Sequence, residues 1–186
     1  MKINNLKQFE KMLEFCFSSE FNQLDESEQL NLKNMIKDAI ENIDGAICKM
    51  KAIAKEELQE GDFDERWTSS RLRKEKILFV ISTISDEDKI YIITQYMQGP
   101  KEDDETYWRV EKEMLFDMLE YLSEDLQIET LSKANPVELF KIMSSYNNDA
   151  RLSIANSKRY FLKKQKNEDA ELYRKRYNIC KQALAK

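Results

Sequence analysis

Three glycines and two prolines among 186 residues constrain this chain more than any other feature. Five of 186 is about 2.7%, against a usual share of roughly 12%. All-β folds need turn residues about every 8–12 positions, so a chain this poor in breakers reads as helical. The segments agree. Asn4 or Asn5 can cap a first helix whose apolar face is Leu6, Phe9, Leu13 and Phe17, with Met12 and Cys16 beside it. Steps of three and four residues mark one helical stripe.

Asp25 opens a capping box closed by Glu28 three residues on. From there the pattern predicts one long helix over about 26–60, with Gly61 as its stop. Its seam is Leu32, Ile36, Ile40, Ile43, Ile47, Met50 and Ala54. Gly45 lies inside that stretch, but the seam stays in phase across it. One helix, with or without a kink, is therefore expected over a hairpin turning at Asp44-Gly45. A third helix is expected over about 70–84, although the run at 77–81 is rich in β-formers. Ser85 and Asp88 form a second capping box, for a helix over 86–98 that ends at Gly99-Pro100. That cap favours helix over a rival β-hairpin pairing 77–84 with 90–96.

Trp108, Leu115, Met118 and Leu122 form the next stripe. Asn135-Pro136 reads as an N-cap followed by Pro at the first helical position. Asn147-Asn148 reads as a break. The last 36 or so residues read as one long basic helix over 150–185, or two joined near Asn167. Their apolar stripe is Tyr173, Tyr177, Cys180 and Leu184. The sum is an all-α, single-domain bundle of six to eight helices over 1–186, with Gly99-Pro100 as the one sub-boundary.

There is no histidine. That removes histidine bases, histidine metal ligands and Ser-His or Cys-His nucleophile pairs. Cys16, Cys48 and Cys180 are odd in number and have no CxxC spacing, so they read as reduced thiols without a zinc or redox role. Scattered glycines cannot build a phosphate cradle. One metal pattern survives. All-helical Mg²⁺-dependent nucleotide pyrophosphatases hold the ion through carboxylates three residues apart on a helix, and hard oxygens suit that ion. Here Asp38, Glu41 and Asp44 recur at three, and Glu57 and Glu60 follow. Glu41, Asp44, Glu57 and Glu60 are the metal candidates, but sites on one helix do not converge. A solvated helix face is the plainer reading, and no metal or cofactor is expected.

Charge is uneven. From Lys158 to Lys186 there are 10 basic and 3 acidic residues, while the other 157 carry 20 and 32. Lys158, Arg159, Lys163, Lys164, Lys166, Arg174, Lys175 and Arg176, interleaved with tyrosines, could neutralise phosphates and stack on bases. The plainer reading puts the aromatics in the core and the cations in water. Acidic Glu102, Asp103, Asp104 and Glu105 could dock on a basic partner, or simply complement a helix dipole.

No apolar run reaches the roughly 20 residues of a membrane span, and the charged N-terminus lacks a leader's apolar region. A cytoplasmic location follows as an expectation. Lys outnumbers Arg 22 to 8, a bias of AT-rich genomes such as those of some bacteria and their mobile elements. By elimination, the expected function is a non-enzymatic protein–protein interaction module: an inhibitor, adaptor or regulatory subunit. It would act on another protein or by self-association. The alternatives are a nucleic-acid binder using the C-terminal arm and a Mg²⁺-dependent pyrophosphatase.

Overall fold

Asn5 starts the first helix: its side-chain oxygen accepts the Gln8 N–H at 3.0 Å, and α1 runs Leu6–Cys16. The computed structural model describes residues 3–59, 68–98, 105–159 and 163–186. Among them the chain is all-α, with nine α-helices, one short 3-10 turn at Phe21–Gln23 and no strand. No helix among the described residues is long and apolar enough to cross a membrane.

The long helix expected over 26–60 is two helices. α2 (Glu26–Asn42) opens on the Asp25–Glu28 box, with Glu28 N–H on Asp25 Oδ1 at 2.8 Å. It ends where Ile43 turns extended, at φ −121° and ψ 116°. Gly45 then adopts φ +84°, and α3 (Ala46–Gln59) begins. A left-handed residue cannot continue a right-handed helix. The in-phase seam misled because the turn restores the phase of the burial pattern: Ile36 and Ala39 are buried before it, Ala46, Met50 and Ala54 after it.

α4 (Thr68–Thr83) and α5 (Asp86–Gln98) are helices, so the 77–96 hairpin does not form. α4 packs against α2, α3 and α6 (Glu105–Leu119). Ile77, Val80 and Ile81 are fully buried, and such tertiary packing outweighs β-propensity. The Ser82 and Thr83 hydroxyls donate back to the Phe79 and Val80 carbonyls at 2.7 and 2.9 Å. Asp88 N–H donates to Ser85 Oγ at 3.2 Å, as the capping box predicts.

α7 (Glu124–Leu131), which the sequence reading passed over, is capped by Ser123. α8 (Pro136–Arg159) starts with Val137 N–H on Asn135 Oδ1 at 2.9 Å. It runs unbroken through Asn147-Asn148, against expectation. α9 (Lys163–Leu184) is separate, and Asn167 lies within it. The C-terminal region is therefore two helices, with its junction before Asn167. These changes carry the helix number past the expected six to eight, and α8 and α9, at 24 and 22 residues, are the long ones.

Contacts gather into two compact units. The first is Met1–Ile92 with Lys101–Tyr121, and the second is Ile93–Pro100 with Leu122–Lys186. Gly99-Pro100, the expected sub-boundary, lies outside the described residues. In the first unit Phe9, Ile36, Met50, Ile77 and Met118 are fully buried. In the second, α9 packs against both α7 and α8.

Candidate functional site

The first unit carries an open cleft of about 230 Å³. Its floor is aromatic. Phe79 of α4 meets Phe17 edge-on at 5.5 Å between centroids and Phe21 edge-on at 5.8 Å. Local sequence explains why these rings converge. Phe17 is the C-cap of α1, and Phe21 opens the 3-10 turn four residues later. Gln29 of α2 steadies that turn: its Nε2 donates to the Leu24 carbonyl at 3.1 Å. Leu72 and Leu78 of α4 extend the apolar wall.

Polar side chains line the cleft as well, among them Asn22, Gln29, Lys33, Glu75, Lys76 and Ser82. Lys76 is held at Glu57, 2.5 Å away, and Arg73 approaches the same carboxylate at 3.6 Å. The Lys76 ammonium also lies 6.0 Å from the Phe17 centroid. Burial pushes the Cys16 thiol up to about 11, partly opposed by the Lys33 charge. It is a neutral thiol at pH 7, and a neutral thiol is a poor nucleophile. The Tyr121 hydroxyl is also raised, by burial first and then by Asp117 and Glu120. The site can hold an apolar group beside a cation.

A second groove of about 480 Å³ in the same unit lies between α1 and α3. Glu10, Glu14, Glu56 and Glu57 line it with Lys49 and Lys76, and Lys49 pairs with Glu10 at 3.0 Å.

The structure scatters the residues singled out as metal candidates. Glu41 is exposed on α2, Asp44 is exposed in the turn after it, and Glu57 sits on α3 against Lys76 and Arg73. Glu60 lies outside the described residues. Among the described residues no three carboxylates or thiols converge on a point that could hold a metal.

The basic arm divides. Lys158 and Arg159 end α8, while Lys163, Lys164 and Lys166 begin α9; their side chains lie outside the described residues. Arg174 and Lys175 are exposed. Arg176 is 4% exposed, so it is not part of a basic surface. Its guanidinium lies 5.6 Å from the Tyr146 centroid and donates to the Tyr146 hydroxyl at 3.4 Å. Tyr173 stacks on Tyr146 at 5.9 Å. Tyr146 is buried where α8 meets α9, and Tyr173 is half-buried against it. Glu102, Asp103 and Asp104 lie outside the described residues, as does the side chain of Glu105 at the start of α6.

The cleft escaped the sequence reading. Its walls come from positions 16 to 121, and Phe17 falls on the apolar stripe of the first helix, which by spacing alone reads as core. The chain matches no family model, no curated protein and no solved structure.

Proposed function

We propose that the protein is a non-enzymatic interaction module, an inhibitor, adaptor or regulatory subunit, that grips a partner protein through the phenylalanine cleft of its first unit. The cleft carries this reading. Pockets for drug-sized ligands run about 300–1,000 Å³, and this one, at about 230 Å³, suits a single large side chain. Buried aromatic anchors in small pockets dominate protein interfaces. The neutral Cys16 thiol favours binding over covalent chemistry. The burial of Arg176 takes one cation from the arm that a nucleic-acid binder would use.

The test is size-exclusion chromatography with light scattering on protein from lysate not treated with nuclease, at low and high salt, followed at 260 and 280 nm. The expected result is a 280-dominated species at both salts. It is either a multiple of 22.2 kDa or a complex with a second protein. A 260-rich complex that dissolves in salt overturns the proposal in favour of nucleic acid, whose binding falls steeply with salt.

A further inference from the structure

We infer that the cleft recognises a partner segment that inserts one large apolar side chain, aromatic by preference, with an Asp or Glu close beside it to meet Lys33. The inference rests on the interaction reading above and specifies its ligand. Three observations carry it. The floor is built from ring edges and faces, with Phe79 edge-on to both Phe17 and Phe21, an arrangement that accepts a further ring in offset or edge contact. The opening is rimmed by half-exposed apolar side chains, Leu72 at 41% and Tyr121 at 42%. Such side chains lose water only when something covers them.

The third observation is charge. The cleft is lined by three charged side chains, Lys33, Glu75 and Lys76. Lys76 is committed to Glu57 at 2.5 Å. Glu75 is exposed and has Arg71 at 3.9 Å. Lys33 is half-buried and, among the described residues, has no carboxylate partner. Its ammonium is close enough to the buried Cys16 to act on that thiol's titration. A cation lining a cleft with an aromatic floor selects an acidic neighbour of the anchor and rejects a basic one. One helical turn, or two residues of extended chain, brings a carboxylate to the same side as an inserted ring, so a short segment satisfies both demands.

The probe is a random dodecapeptide library displayed on phage and panned against the full chain, in parallel with its Lys33→Glu and Leu72→Gln variants. Both substitutions fall on side chains at least partly exposed, and thermal melts confirm folding. Panning of the unaltered chain should enrich peptides carrying Trp, Phe or Leu with Asp or Glu within four residues. The synthetic consensus peptide should bind the Lys33→Glu variant roughly tenfold more weakly, by loss of a pair and gain of repulsion. The Leu72→Gln variant should lose a similar factor through the anchor. Panning on Lys33→Glu should exchange the acidic flank for a basic one.

Enrichment of peptides without an anchor, or of none, overturns the inference. So does an acidic preference that survives Lys33→Glu. If 3-phenylpropionate binds as tightly as the peptide, the ligand is a small aryl acid and not a partner protein. A protein complex in the chromatography whose stability ignores Leu72→Gln would leave the interaction reading standing and remove this cleft from it.

Discussion

Gly45 turns the chain between α2 and α3 with φ +84°, and a Cβ added there would meet only Leu6 Cδ2 at 3.6 Å, an ordinary contact. The cost of a side chain is therefore in the backbone and not in a clash. Gly45→Ala should lower stability by about 1–2 kcal/mol, read as a lower urea midpoint at unchanged m-value. Gly45→Asn should cost less, because Asn tolerates the left-handed region. Equal losses would mean that packing, and not φ, sets the requirement. Two residues of the basic arm should part company in the same assay. Arg176→Ala removes a buried guanidinium from the Tyr146 ring and should cost roughly 2–4 kcal/mol. Arg174→Ala, on an exposed side chain, should stay within about 0.5 kcal/mol. Arg176 was legible in principle. It stands three residues after Tyr173 and four before Cys180, on the stripe that buries Ala170, Cys180 and Ala183. Its charge, read alone, suggested water.

Capped elements were the most readable ones. Asp25, Ser85, Asn5 and Asn135 all cap where their residue types and spacing predict, because a cap is a local bargain between a side chain and N–H groups two or three residues on. Asp25→Ala should lower stability by about 1 kcal/mol through the lost bond to Glu28 N–H, checked by urea unfolding. The misreadings came from tertiary choices. Asn147-Asn148 stays helical within α8, where Tyr146 and Ala150 on either side are buried, and α2 ends at a turn that the seam conceals. The start of α5 adds an element-to-element pair. Lys51 of α3 pairs with Asp88 and lies 5.2 Å from the Tyr91 centroid. Burial pulls the Asp88 carboxyl up, but bonds from Lys51 and Ser85 and the Lys51 charge outweigh it and hold the carboxyl below its ordinary 3.8. The hydrogen bond to Asp88 raises Lys51 above 10.5, against the opposing pull of burial. A lowered acid stabilises above its unfolded pKa and loses that contribution as pH falls through the folded one. A raised base stabilises below its unfolded pKa and loses it as pH rises further. The pair should therefore help from about pH 4 to about pH 10. A Lys51→Met, Asp88→Asn double-mutant cycle should give a coupling of about 0.2–1 kcal/mol at pH 7, shrinking as the pH falls and Asp88 takes up its proton. A coupling unchanged at pH 2 would show that the contact is not ionic.

Two units with their own internal contacts make a prediction about the molecule as a whole. The first buries Phe9, Ile36, Met50, Ile77 and Met118, and the second buries Leu139, Tyr146, Ile179 and Cys180. Cys180 sits deep enough that burial pushes its thiol up to about 12. A region that buries its own apolar side chains can open as a unit while another stays closed. Strain placed at Gly45 should thus be felt where its contacts lie. In native-state hydrogen exchange, Gly45→Ala should speed exchange of core amides in α1 through α4 by about fivefold to thirtyfold, the ratio for a loss of 1–2 kcal/mol. Amides of α8 around Tyr146 and of α9 around Cys180 should keep their protection. Arg176→Ala should give the converse pattern. Uniform loss of protection in both variants would mean that the chain opens only globally, and that its two clusters of contacts are one cooperative fold. Peptides selected on the cleft should then report through the same amides. Their binding should slow exchange in α1, α2 and α4 while leaving α8 and α9 untouched, because Cys16, Lys33 and Phe79 all belong to the first unit.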